Sequence, residues 1–288
     1  MKELTIKEAL LRASYVLKDH KIENPYFESQ MLLKHVLQCR LIDLSIRDGE
    51  KLSEVEQEAF EKMVSKRAKH YPFAYITGKR EFMGLEFNVT EDVLIPRPDT
   101  EILVEWALSK LELSEGVSKI ADVGTGSGAI AITIAKLCEN VRVYATEIWG
   151  KSIQVASKNA KNLGVSEKTT IYQGDLLQPV IDENLKMDMV LSNLPYISDE
   201  DYLNLDKTVK EYEPKRALIG GKTGLELYQN LLPQAFKVLK DNGWIALEIG
   251  YDQGETSERL LQESGFKRTK ILYDLGGNPR VIVGQKVV

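Results

Sequence analysis

The chain has 288 residues, 43% of them apolar, and a formal net charge of −5 at neutral pH. That length accommodates roughly two domains, and that apolar content supports sizeable cores. The acidic balance argues against a duplex nucleic-acid substrate, where a basic face normally supplies most of the affinity, and no apolar run approaches the roughly 20 residues of a membrane span.

Met1 to Thr5 carries no signal-peptide apolar region, so a cytoplasmic protein is expected. Cys39 and Cys138 are distant in sequence and each sits in an apolar helical pattern. They read as buried free thiols rather than a disulfide or a metal site. His20, His35 and His70 lack ligand-spaced partners, and no metal is expected. The basic clusters Lys62, Lys66, Arg67, Lys69 and Lys158, Lys161 read as solvated helix faces interleaved with acids.

Thr5-Ile6-Lys7-Glu8 has capping-box spacing and opens a run with Ala9, Leu10, Ala13, Val16 and Leu17 on one helical face. Asn24-Pro25 joins an N-cap residue to a Pro at the first helical position, and Met31, Leu32, His35 and Val36 continue at helical spacing. Ser53-Glu54-Val55-Glu56 repeats the capping box before a third helix with Phe60, Met63 and Val64. Residues 1–72 are thus expected to form a helical domain without chemistry of its own, either an appendage or a docking module. Tyr71-Pro72 breaks the helix, and Gly78 and Gly84 punctuate β-rich runs such as 85–89. A hairpin linker over 73–98 follows.

From Asp99 helices alternate with strands. A helix near 100–113 precedes the strand 119–123. A helix from Gly128, the strand 141–145, a helix over 151–163 and strands at 169–173 and 187–192 come next. A helix near 224–240, the strand 244–248 and a helix over 254–263 complete the alternation. It predicts an α/β domain over 99–288, a doubly wound, mostly parallel sheet with helices on both faces. The runs 269–273 and 280–283 flank Gly276-Gly277-Asn278, and so short a turn requires an antiparallel C-terminal hairpin.

Two of the strands run into loops that carry chemistry. Lys119-Ile120-Ala121-Asp122-Val123 enters Gly124-Thr125-Gly126-Ser127-Gly128, and Met187 to Ser192 enters Asn193-Leu194-Pro195-Tyr196. Gly124-x-Gly126-x-x-Ala129 fits the dinucleotide fingerprint, with Glu147 at a distance suited to a ribose diol. Glycines at such a turn can equally serve a tight bend alone. Asp122 tips the balance: a carboxylate there would repel a pyrophosphate, whereas the sulfonium and ammonium of S-adenosylmethionine favour nearby acids. In Gly174-Asp175-Leu176, Asp175 can take an adenine exocyclic amine while Leu176 packs on the ring; the bland alternative is a turn residue. Asn193 and the following carbonyls suit a planar NH2 group held by its hydrogens, against the alternative of an ordinary Asn-x-Pro turn. If the fourth strand neighbours the first across the switch point, the two loops face one crevice. A methyltransferase acting on a planar nitrogen is the result.

Phe82-Met83-Gly84-Leu85, Ile95-Pro96-Arg97-Pro98-Asp99-Thr100-Glu101, Asp122-x-Gly124-Thr125-Gly126-Ser127-Gly128 and Glu213-Pro214 with Ala217-Leu218 extend the pattern over nearly the whole chain. With them the chain resembles the release-factor glutamine methyltransferases, which methylate the Gln side-chain amide of a Gly-Gly-Gln motif. The resemblance implies S-adenosylmethionine bound by Gly124, Thr125, Gly126, Ser127, Gly128, Glu147 and Ile148, with Asp122, Asp175, Leu176 and Asn193 around it. It implies substrate glutamine at Asn193, Leu194, Pro195 and Tyr196, Leu94 and Pro96 walling the pocket, and a helical domain that docks the release factor. The family has Pro where this chain has Leu194, and an Asp, aliphatic, Ser pattern where it has Glu147-Ile148-Trp149. The expected mechanism has Asn193 Oδ1 and the Leu194 carbonyl accepting the two N–H bonds while Tyr196 packs on the amide plane. The competing readings are an N6-adenine methyltransferase acting on a flipped base, an inactive cofactor-binding adaptor, and a nicotinamide oxidoreductase, against which Asp122 counts.

Overall fold

In the computed structural model, which describes residues 3–287, the chain divides after Gly78 into two compact units. In the first, α1 (Ile6–Asp19) starts at a capping box. Glu8 N donates to Thr5 Oγ1 at 3.2 Å, and Thr5 N donates to Glu8 Oε2 at 2.8 Å. The next helix, α2 (Pro25–Leu37), begins on Pro25 as expected, but Asn24 is left-handed and makes no side-chain cap bond. After the short α3 (Leu41–Ile46), α4 (Glu54–Ala68) opens on the Ser53–Glu56 capping box, and α5 (Phe73–Thr77) follows Pro72. Neither α3 nor α5 shows in the sequence pattern, since fewer than two turns hold no readable period. Leu10, Leu17, Leu32, Leu33, Phe60 and Val64 form the core of this unit. Val16 departs from its expected face and is exposed. Cys39 and Cys138 are free thiols, but both are half-buried, not buried.

The second unit opens with β1 (Lys79–Phe82) and β2 (Leu85–Asn88). Met83 and Gly84 both take positive φ, 52° and 73°, the two-residue loop that matches strand twist. This hairpin is no free linker: Phe82 and Phe87 are buried among Leu103, Val104 and Ile134.

There follow α6 (Asp99–Leu111), β3 (Ser118–Val123), α7 (Ala129–Leu137), β4 (Val141–Glu147), α8 (Gly150–Asn162), β5 (Thr169–Gln173), α9 (Gln178–Asp182) and β6 (Met187–Ser192). Next come β7 (Ile197–Ser198), α10 (Asp199–Asn204), α11 (Lys207–Tyr212) and β8 (Ile219–Gly221), which pairs with β7. The chain ends through α12 (Glu226–Val238), β9 (Leu239–Glu248), α13 (Gly254–Glu263), β10 (Lys267–Tyr273) and β11 (Pro279–Gln285). The main sheet has the order β10-β11-β9-β6-β3-β4-β5. The five strands from β9 to β5 are parallel to one another, and β11 is antiparallel to both β9 and β10. The expected doubly wound sheet with its antiparallel hairpin is what forms.

Alternation along β3 sends Ile120 to a core shared with α6 and α7, and Ala121 and Val123 to one shared with α12. A strand covered on both faces reads as a continuous apolar run, which is why β3 and β6 were legible.

Candidate active site

After β3 the chain turns to β4 on one side, and β6 lies on the other, so the crevice opens at the ends of β3 and β6. Val123 and Ser192 are register partners there, and Ser192 Oγ donates to the Val123 carbonyl at 2.8 Å. The two loops therefore leave side by side. A cavity of about 440 Å³ lies between them, in the size range of small-molecule sites. Its wall includes Gly124 to Ser127, Glu147 to Trp149, Gly174 to Leu176, Asn193 to Pro195, and Leu94, Pro96, Arg97, Thr100 and Arg216.

The glycine loop is shaped by sterics. Gly124 has φ +71°, and a Cβ there would stand 2.7 Å from Leu194 Cδ2. Gly128 has φ +85°, and its Cβ would stand 2.4 Å from Ile132 Cδ1. Thr146 O accepts from both Gly124 N and Thr125 N, at 2.9 and 3.0 Å. Asp122 holds the loop from behind: Oδ2 accepts from Thr125 Oγ1 at 2.5 Å and from Ala131 N at 3.1 Å. It is fully buried, and Oδ1 has no partner among the described residues. Burial pushes its carboxyl up to about 6, against the pull of those two hydrogen bonds.

Two expected ligand residues are thus absent from the wall. Asp122 and Gly128 shape the loop without reaching the cavity. Asp122 belongs to a strand covered on both faces, and its carboxyl group holds the Thr125 hydroxyl and Ala131 N behind the glycines.

Glu147 does reach the cavity. It bridges two loops, with Oε2 accepting from Gly126 N and Oε1 from Trp149 N, each at 3.0 Å. Each oxygen keeps acceptor capacity for ligand hydroxyls. Ile148, Trp149, Asp175 and Leu176 complete this end. Two arginines stand on the wall, and both are engaged. Arg97 pairs with buried Glu213, which also accepts from Ile95 N at 3.4 Å. Arg216 lies 4.8 Å over the Trp149 ring and donates to the Asp92 carbonyl at 2.9 Å. Glu147 and Asp175 then leave the wall acidic, which favours a cation.

On the other side, Asn193 Nδ2 donates to Thr100 Oγ1 at 3.1 Å, leaving Oδ1 as the acceptor end of the amide. Leu194 is buried, and its side chain packs against Gly124. The Leu194 carbonyl lies 3.4 Å from the Tyr228 hydroxyl. That hydroxyl has one proton, and its shorter contact is to the Glu248 carbonyl, so the Leu194 carbonyl retains a lone pair. Tyr196 corrects an expectation. It does not stand on the cavity wall; its hydroxyl donates to Glu248 Oε1 at 3.2 Å, and burial raises its pKa well above the usual range.

Sequence reasoning missed Thr100, Glu248, Arg216 and the Arg97–Glu213 pair as wall or supporting groups. Thr100, Arg97 and Glu213 lay inside motifs that carried the resemblance, without a role. Glu248 had one visible signal, an acid closing the apolar strand 244–248.

Residues 8–78 match the PrmC N-terminal domain and residues 99–210 the methyltransferase small domain. The release factor glutamine methyltransferase of Bacillus cereus is 39% identical over 286 residues, covering 98% of this chain and 99% of that protein. Its counterpart from Clostridium acetobutylicum is 40% identical over 280 residues, covering 97% and 98%. Among solved structures, the hMettl16 catalytic domain in complex with an RNA hairpin aligns with a TM-score of 0.58, covering 83% of this chain and 84% of that one. At 14% identity that is a likeness of fold alone.

Proposed function

Since the chain belongs to the release factor glutamine methyltransferase family, we propose that it methylates the side-chain amide nitrogen of a release-factor glutamine, with S-adenosylmethionine as donor. The observation that carries this reading is Asn193. Thr100 holds its NH2 end, so the oxygen end is offered to an amide NH2 beside the glycine loop.

The donor residues fit the cofactor. Glu147 can accept from ribose hydroxyls, Asp175 and Leu176 can take the adenine, and the acidic wall suits a sulfonium and an ammonium. Gly124 keeps backbone where a side chain would intrude. When bound, S-adenosylmethionine supplies an electrophilic methyl group. The chain's own residues supply position. An amide nitrogen is a poor nucleophile because its lone pair is delocalised into the carbonyl. Asn193 Oδ1 and the Leu194 carbonyl accept its two N–H bonds, which fixes the nitrogen and leans electron density onto it. Effects of this kind are worth roughly 7–11 kcal/mol at best. The methylated nitrogen is strongly acidic and gives its proton to water, so no strong base is needed. The glutamine of a Gly-Gly-Gln loop is the substrate in this reading, the helical unit is the release-factor docking module, and the reaction belongs to translation termination in the cytoplasm.

The test supplies labelled S-adenosylmethionine with a purified release factor and, separately, a duplex oligonucleotide. Label is expected on the protein alone. Asn193→Ala should lower the rate by about 10²–10³ while cofactor affinity stays within a few-fold. Retention of more than half the rate would remove Asn193 from the site.

A further inference from the structure

Trp149 departs from what its position calls for. It is the N-cap of α8, where a short side chain with an oxygen would accept from the first helical turn, and its indole makes no cap bond. The family carries Ser at this point of its pattern. Trp149 instead presents a ring that is 49% exposed and yet stands on the cavity wall. A side chain that meets both solvent and cavity lies at the rim.

Backbone and ring are both held in place. Trp149 N donates to Glu147 Oε1 at 3.0 Å, the carboxylate read as the ribose acceptor. The Arg216 guanidinium, from the turn Lys215–Ala217, lies 4.8 Å over the indole, within cation–π reach. Arg216 is itself fixed: Nη2 donates to the Asp92 carbonyl at 2.9 Å and lies 3.9 Å from the Asp92 carboxylate. The same carbonyl accepts from Ser152 Oγ at 2.9 Å, in the first turn of α8, and Lys151 Nζ lies 3.4 Å from the carboxylate. Asp92, Trp149, Ser152 and Arg216 all stand on the cavity wall. Three stretches remote in sequence are thus tied together at the rim, beside Glu147.

We propose that Trp149, braced by Arg216, is a retaining wall for the nucleoside half of the cofactor, packing against it when bound and slowing its escape past the rim. This rests on the reading of the cavity as the S-adenosylmethionine site. A planar indole offers a large, rigid contact face to a purine or ribose. The guanidinium holds the ring in place beforehand, so little side-chain freedom is lost when the cofactor arrives. A Ser at 149 would leave this part of the rim open. Contacts of this kind act mainly on dissociation, not on association.

Two measurements on the full chain test this, and neither depends on turnover. The protein has three tryptophans; Trp106 and Trp244 pack on each other at 5.6 Å, and neither lines the cavity. Saturating S-adenosylhomocysteine should therefore change tryptophan emission in the wild type, and Trp149→Phe should lose that change. Labelled S-adenosylmethionine, chased with excess unlabelled cofactor, should leave about fivefold faster or more from Trp149→Ser and from Arg216→Gln, with association little altered. Trp149→Ser restores a cap residue, so its fold is kept. Trp149→Phe keeps a ring under the guanidinium and should stay within about twofold of wild type. The double variant Trp149→Ser/Arg216→Gln should be no faster than Trp149→Ser, since the arginine acts through the ring. No emission change in the wild type, a change that survives in Trp149→Phe, a wild-type release rate in either single variant, or fully additive losses would overturn the inference and leave the site reading standing. A wild-type protein that binds no S-adenosylmethionine by calorimetry would defeat the site reading itself, and this inference with it.

Discussion

Two buried acids stand at the ends of adjacent strands, and their surroundings give them different work. Asp122 is enclosed by β3 and the start of α7, and its Oδ2 accepts from Thr125 and Ala131. Glu147 sits one strand over, where its carboxylate meets the cavity as well as Gly126 N. The cost of enclosure is visible for Asp122, whose carboxyl is raised by burial from an ordinary 3.8 to about 6. A folded-state pKa above the unfolded value means stability that is full below the unfolded pKa and is lost as pH rises through the folded one. Wild-type stability should therefore fall relative to Asp122→Asn between about pH 4 and about pH 7, by at most about 3 kcal/mol. Glu248 titrates in both proteins and cancels from the difference. Denaturant midpoints of the pair at several pH values check this. A difference flat with pH would mean that Asp122 is not raised.

At the scale of elements, the glycine loop after β3 and the Asn193 loop after β6 are one packed unit. Gly124 has both the positive φ and the close approach to Leu194 that exclude a side chain. The left-handed conformation alone should cost Gly124→Ala about 1–2 kcal/mol. Leu194 adds to this because its buried side chain must shift away from the new methyl. Leu194→Pro removes the offending methyl while keeping the carbonyl and locking φ. Gly124→Ala combined with Leu194→Pro should thus cost less than the sum of the two, by roughly 0.5–3 kcal/mol, the usual coupling between residues in contact. Denaturation and cofactor calorimetry on the four proteins of this cycle provide the check, and strict additivity would separate the loops. Both loops were legible in the sequence because each follows a continuous apolar run. Their contact was not, because Gly124 and Leu194 meet only through the β3–β6 pairing.

For the whole molecule, the second unit contains both faces of the main sheet and every residue of the cavity wall, while the helical unit contributes a separate core. A chain beginning at Lys79 should keep S-adenosylmethionine binding and lose most of its rate on intact release factor, with a smaller loss on a short Gly-Gly-Gln peptide. Equal losses on both substrates would make the helical unit scaffold instead of docking surface. Local information was enough to determine the alternation of elements, the two capping boxes, the antiparallel C-terminal hairpin and the two chemical loops. Periodicity, caps and turn residues act over a few positions and survive in a linear string. Tertiary structure alone decided which acids meet the cavity, because strand alternation and double coverage turned Asp122 inward and left Glu147 at the edge. It also decided that Tyr196 meets Glu248 and that Asn193 meets Thr100. The members of each pair are remote in sequence, and they meet because the sheet order sets β9 beside β6 with α6 packed across it.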